Sequence, residues 1–198
     1  MKIRVLGASG SEVLGVNPPA FLLDEKILFD AGSVTKVLDV SEQVKITHVF
    51  ITHPHLDHIY GLASLAENLI ISDPNDYTLE ICSIPEVIQP IKEHIFNNII
   101  WPDFSAIPSH ESPLLRFIPL APNTKISVYG YAITPIPVNH TVPAVGYLVE
   151  NKEGQRIFYT GDTGPTDLTW EILKEVPLDT LITEVSFPNH LESLAILT

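Results

Sequence analysis

One heptapeptide constrains this chain more than any other stretch: Thr52-His53-Pro54-His55-Leu56-Asp57-His58, at the end of an apolar run. Its histidines and its aspartate fall at alternating and then adjacent positions, in HxHxDH order. Neutral imidazole nitrogen and carboxylate oxygen are the donor set of Zn²⁺ and neighbouring borderline metals. A single histidine beside an apolar strand is ordinarily a satisfied or solvated side chain, but four ligand-type side chains packed this tightly are not explained that way. Val49-Phe50-Ile51 before the motif is β-branched and aromatic and reads as a buried strand. Ile59 to Glu67 after it has the apolar spacing of a helix. The motif therefore sits on a strand-to-helix turn. There His53 and His55 can point one way and Asp57 and His58 another, which suits two adjacent metals.

The chain has 198 residues, 45% of them hydrophobic and 18% charged, enough for one globular domain with a substantial core. No apolar run approaches the ~20 residues that a membrane span needs, so no membrane partner is expected. Met1 to Leu6 is too short in its apolar part for a secretory signal, and Cys82 is the only cysteine. Those features point to the cytoplasm. A formal net charge of −13 argues against a nucleic-acid polymer as partner. It does not exclude a small anion, because bound divalent cations reverse the field locally. Seventeen prolines imply many fixed turns rather than a helical bundle.

Along the chain, Lys2 to Leu6 alternates as an opening strand, and Gly7-Ala8-Ser9-Gly10-Ser11 reads as a tight turn rather than a phosphate loop. Ala20 to Leu23 and Ile27 to Phe29 form a hairpin about Asp24-Glu25-Lys26, closed by Asp30, which is either a carboxylate supporting the metals or a turn residue. Val34 to Gln43 is roughly helical, and Ile46 to Ile51 delivers the histidines. Strands are expected near Leu69 to Ile71 and Thr78 to Ile81, then a helix from Pro85 to Phe96. His48, His94 and His110 have no ligand neighbours and read as ordinary packing or surface residues. Asn97 to Phe104 is an aromatic loop that can serve packing or wall a pocket. Strands follow at Ile126 to Tyr129 and Tyr131 to Thr134, and His140 stands at a strand end as a further candidate ligand. A hairpin of Gly146 to Val149 with Arg156 to Tyr159 runs into Thr160-Gly161-Asp162-Thr163-Gly164. Residues 168 to 176 read as a helix, Thr180 to Val185 as a strand, Ser186 to Asn189 as a turn and the last residues as a helix start.

His53-x-His55-x-Asp57-His58, then His140, then Asp162 in Thr160-Gly161-Asp162-Thr163, resembles the metallo-β-lactamase superfamily. The resemblance spans most of the chain. It implies an α+β four-layer αββα sandwich with two divalent metal ions at the sheet edge, zinc foremost and manganese or iron as alternatives. It also implies roles: His53, His55 and His140 for the first metal, Asp57 and His58 for the second, and Asp162 bridging. Within the superfamily the chain is similar to class II cyclic-nucleotide phosphodiesterases, through His53 to Leu62, Ile100-Trp101-Pro102-Asp103-Phe104 and Glu184-Val185-Ser186-Phe187-Pro188-Asn189. That family pattern goes on to a further histidine-bearing helix start and a last ligand histidine, whereas this sequence stops at Thr198. His190 lies in the wrong block to replace it. The expectation is a single domain, 1–198, truncated after Thr198, with a complete first metal site and a second lacking one ligand.

The implied chemistry is hydrolysis of 3′,5′-cyclic nucleotides (cAMP or cGMP) to 5′-nucleotides by a hydroxide between the metals. Asp162 would fix that bridge and Asp57 would orient the attacking oxygen, so these are the expected catalytic residues. The expected partners are a small anionic nucleotide substrate and, as assembly, a homodimer. The same motif serves thioesters, lactones, aryl sulfates and RNA 3′ ends, and a form without its last ligand could bind metal and be catalytically inactive.

Overall fold

The computed structural model describes residues 1–72 and 77–185. They divide into two compact units, the first ending at Pro119 and the second beginning at Leu120. Among the described residues, no helix is long and apolar enough to cross a membrane.

The first unit is built on a sheet in the order β1 (Ile3–Gly7), β2 (Ala20–Leu23), β3 (Ile27–Phe29), β4 (His48–Phe50), β5 (Leu79–Ser83), β6 (Leu115–Pro119). The first three strands pair antiparallel, and β3 to β6 pair parallel. Parallel strands need crossovers, and helices supply them. Short α1 (Val34–Val37) and α2 (Val40–Gln43) precede β4; α3 (Leu56–Ile59) and α4 (Gly61–Ser72) link β4 to β5; α5 (Pro85–His94) leads towards β6. β2 and β3 are buried along their whole length and read as unbroken apolar runs instead of alternating ones.

The second unit holds the sheet β11-β10-β9-β8-β7. Its strands are β7 (Ile126–Val128), β8 (Tyr131–Pro137), β9 (Val145–Glu150), β10 (Arg156–Tyr159) and β11 (Thr180–Ile182). All neighbours are antiparallel except β10 and β11, whose crossover is α6 (Asp167–Leu173). Leu173 of that helix packs on Ile136 and Phe158, with Val138, Leu148, Val176 and Leu178 around them. Thr166 caps α6 by accepting from the Thr169 amide.

Four local expectations change. Leu69 to Ile71 is the end of α4, not a strand. Leu62, Leu65, Ala66 and Leu69 are buried at helical spacing while Ile71 is 73% exposed, so the run belongs to the helix stripe. The helix expected over Val34 to Gln43 breaks at Asp39, which starts α2 with a reciprocal capping box to Glu42. β6, unanticipated, pairs with β5 over its whole length at the sheet margin. Gly7 to Ser11 does not turn directly into the next strand: residues 8–19 connect β1 to β2, with Ala8 and Ser9 both donating to the Asn17 carbonyl. The turn and helix start expected from Ser186 onward lie outside the described residues.

Candidate metal centre

Because β3, β4 and β5 run parallel, their carboxyl ends deliver Asp30, Thr52 to His58 and Ser83 to one edge of the first sheet. Ligand sites of parallel sheets gather at that edge. The Asp30 turn is zipped to the motif by backbone bonds: Asp30 donates to Phe50 at 2.9 Å, Ala31 to His58 at 2.7 Å, and Gly61 to Ala31 at 2.9 Å. Ser83 adds a buried hydroxyl bond to the Ile51 carbonyl at 2.6 Å. Two glycines permit this closeness. A Cβ on Gly32 would stand 2.0 Å from the Asp57 carbonyl oxygen, and one on Gly61 2.3 Å from that of Ala31.

Asp30 is completely buried and adopts a left-handed backbone (φ 53°), a conformation aspartate tolerates better than most residues. Its carboxylate accepts from the Thr52 amide at 2.8 Å and from the Thr52 hydroxyl at 2.9 Å, and meets His58 Nδ1 at 2.8 Å. Asp30 is therefore more than a turn residue, its carboxylate being in direct contact with a ligand-type histidine. The Asp30 contact makes His58 Nδ1 the protonated nitrogen and leaves the lone pair on Nε2. His58 Nε2 in turn stands 3.6 Å from an Asp57 oxygen. The His53 ring lies 4.6 Å from that of His55 and 4.1 Å from that of His58. His53 is thus the hub of the cluster; the expected split into two separate directions is softened by its nearness to both neighbours. His53 and His58 are buried, while His55 and Asp57 are partly open, His55 serving as N-cap of α3 without spending its side chain on the cap.

In the second unit the carboxyl ends of β8, β10 and β11 share one sheet edge, since β9 returns antiparallel between β8 and β10. They carry Asn139-His140, Thr160 to Gly164 and Thr183-Glu184. Gly161 has φ +61°, letting the chain turn immediately before Asp162. The Gly164 amide donates to the Asn139 carbonyl at 2.7 Å, and Asn139 Nδ2 returns a bond to the Pro165 carbonyl at 2.8 Å. The Thr163 amide donates to Glu184 Oε1 at 2.5 Å. Asn139 carries no mark in the sequence beyond preceding His140, and Glu184 stood out only as part of the Glu184 to Asn189 block.

Away from these edges, His48 pairs with Glu80 at 3.1 Å and its imidazole is held below its ordinary pKa, mainly by burial, with Glu80 opposing. Burial, with a smaller push from Glu80, raises the Cys82 thiol far above its ordinary range, so this cysteine is chemically quiet. In the aromatic loop, Phe104 is buried with its ring edge-on to Phe96, whereas Ile99 and Ile100 are exposed. Phe104 is therefore a packing residue.

The donor chemistry fits a divalent transition metal. An imidazole oriented by a buried carboxylate, with further imidazoles and a partly open carboxylate beside it, matches what such ions bind.

Comparison with known proteins agrees with this geometry. Residues 26–193 match the profile of the Beta-lactamase superfamily domain, and the chain belongs to that family. A 3′,5′-cyclic-nucleotide phosphodiesterase of Aliivibrio fischeri is 27% identical over 229 residues, covering 93% of this chain and 67% of that protein. 3′,5′-Cyclic-nucleotide phosphodiesterase 1 of Saccharomyces cerevisiae is 33% identical over 118 residues, 57% of this chain and 29% of that one. A ribonuclease Z of Metallosphaera sedula is 28% identical over 162 residues, 77% of this chain and 50% of that one. The crystal structure of unliganded yeast PDE1 superposes with a TM-score of 0.79 at 20% identity, covering 94% of this chain and 75% of that one. The chain thus spans from under a third to two thirds of these curated relatives. Its fold is the α+β sandwich of the metallo-β-lactamases.

Proposed function

We propose that the chain is the metal-binding part of a phosphodiesterase that hydrolyses 3′,5′-cyclic nucleotides, cAMP or cGMP, to 5′-nucleotides. In this reading the two units are halves of one domain. The ligands are His53, His55 and His140 for one ion and Asp57 and His58 for a second, with Asp162 shared. Two groupings of potential ligands support it, His53 with His55 and His140, and His53 with His58 and Asp162. The single observation that carries the substrate class is the likeness to a cyclic-nucleotide phosphodiesterase along 93% of the chain.

Bound divalent ions, zinc by the donor set, would make water a usable nucleophile near neutral pH and offset charge on the phosphoryl oxygens. The residues do the rest. Asp30 holds His58 in the tautomer whose Nε2 can ligate. His53 keeps its neighbours within reach of one another. Asp57, partly open and beside His58 Nε2, orients the attacking oxygen, and Asp162 fixes the position from which attack on phosphorus proceeds. The leaving 3′ oxygen gains a proton and the phosphate stays on the 5′ carbon.

A second reading, cleavage of RNA as in the ribonuclease Z relative, keeps the same ligands. The formal charge of −13 opposes it, because a long polyanion needs a basic track. The deciding assay offers zinc-loaded protein cAMP, cGMP and a precursor tRNA, with and without a chelator. Chelator-sensitive release of 5′-AMP or 5′-GMP supports the proposal. Cleavage of RNA alone moves the protein to the second reading, and chelator-insensitive hydrolysis rejects both.

A further inference from the structure

The Asp162 loop and the His140 loop are fastened to each other inside the second unit by groups that carry no ligand. Asn139 contributes both halves of a reciprocal clamp: its carbonyl accepts from Gly164 and its side-chain amide donates to Pro165. Gly164 lies beside Asn139 at ordinary packing distance, a Cβ there standing 3.4 Å from Asn139 Nδ2 and 3.5 Å from its carbonyl oxygen. From the other side, Glu184 reaches from just past β11 and takes the amide of Thr163, the residue after Asp162. Thr160, fully buried, closes the base of the loop through its hydroxyl to the Gly161 carbonyl at 2.7 Å and to Thr183 Oγ1 at 3.3 Å. Asp162 is therefore bracketed by fixed neighbours on both sides, and the residue preceding His140 is one of the anchors.

We propose that Glu184 and Asn139 are positioning residues that hold Asp162 and His140 ready as a preassembled ligand pair, before any metal arrives. Within this clamp Glu184 supplies an acceptor for the Thr163 amide, and that bond does not itself call on its charge. A carboxylate and a carboxamide oxygen both accept from N–H, so a glutamine can replace it, whereas a general acid–base or a metal-ligating carboxylate cannot be replaced in that way. Asn139 needs its side-chain N–H, so the equivalent loss is Asn139→Ala. The inference rests on the metal reading above for the identity of the ligands, but the clamp itself can be observed without metal.

The experiment uses the full 198-residue chain with zinc chloride as probe. Metal-free protein is examined by amide hydrogen exchange at Thr163, and zinc uptake by calorimetric titration, in the parent, Glu184→Ala, Glu184→Gln and Asn139→Ala. Expected in Glu184→Ala are Thr163 exchange faster by about an order of magnitude and zinc affinity at the weakened step lower by roughly ten- to a hundredfold. Glu184→Gln should track the parent in both, and Asn139→Ala should shift zinc affinity in the same direction by a smaller factor. Parent-like exchange and affinity in Glu184→Ala overturn the inference. So does a Glu184→Gln variant as impaired as the alanine, which would show that the charge is what matters. Should Glu184→Ala fail to fold, Asn139→Ala with normal zinc affinity overturns it. No zinc uptake by the parent rejects the metal reading and this inference together, whereas parent uptake left unchanged by every variant rejects the inference alone.

Discussion

The two units present their shares of the proposed centre in contrasting ways. In the first, the ligand-type residues fall close together on one turn, two of them fully buried, and Asp30 fixes the tautomer of His58 by direct contact. In the second, His140 and Asp162 lie on separate loops, both partly exposed, and their neighbours are tied backbone to backbone. The first arrangement is organised by a buried charge and the second by loop closure. Contiguous ligands need an outer carboxylate to set their tautomers, and dispersed ligands need the main chain to set their spacing.

The largest test of that contrast is Asp30→Ala. It leaves the Thr52 amide, the Thr52 hydroxyl and His58 without their acceptor in a dry site, and loss of one partner of a buried pair costs about 3–5 kcal/mol. Metal-free denaturant titration should show that drop; a change below about 1 kcal/mol would mean that burial of charge does not organise the first unit. Next in size, saturating zinc at about a hundred times its dissociation constant should raise stability by about 2.7 kcal/mol, and a chelator should reverse it in thermal melts. A smaller effect is expected from Thr169→Val. The Thr169 hydroxyl bonds the Pro137 carbonyl at 2.7 Å, tying α6 to the strand end just before His140, and its loss should cost about 1 kcal/mol. An equal penalty from Asp30→Ala and Thr169→Val would erase the contrast between the two units.

The smallest effect concerns acidity away from the ligands. The folded His48 pKa is lowered by burial, so as pH falls through the ordinary histidine value of about 6.5 the unfolded chain takes up this proton more readily. Stability on this account is complete above that value and declines with acid until the folded pKa is passed. His48→Gln should flatten the dependence of melting temperature between pH 7.5 and 5.5 by a measurable fraction. An unchanged slope would place the acid sensitivity of the first unit in its motif instead.

How much of this was legible follows the same division. His53 to His58 announces a metal by density alone, and the parallel strands around it were visible as β-branched apolar runs. His140 and Asp162 each stood out at a strand end, but their joint role came through resemblance, since one histidine and one aspartate 22 positions apart carry no shared local signal. Elements failed where two patterns overlapped. Leu69-Ile70-Ile71 is apolar and strand-like in isolation, but Leu69 completes the buried stripe that starts at Leu62. β8 was expected over Tyr131 to Thr134 but runs on to Pro137. The strand continues because its pairing with β7 stops at Ile133, leaving one side of Pro135 without a strand to donate to. Asp39-x-x-Glu42 was a readable capping box that the apolar pattern of Val34 to Gln43 obscured. The outer contacts of Asp30, Asn139 and Glu184 could not be read, because each partner lies at a distance that only the folded chain sets.

Gly32 and Gly61 carry a consequence for mutational scanning. Neither has a side chain with which to bind, ionise or react, yet any Cβ at Gly32 must displace the backbone of Asp57, and any at Gly61 must displace Ala31 beside Asp30. In a saturation library selected for activity, both positions would score as intolerant as the histidines themselves. A library selected for abundance would separate them: overpacking there lowers the yield of folded protein, whereas truncating a partly open ligand-type residue such as His55 need not. The pattern of tolerance across two selections, rather than either alone, would tell scaffold from chemistry on this turn.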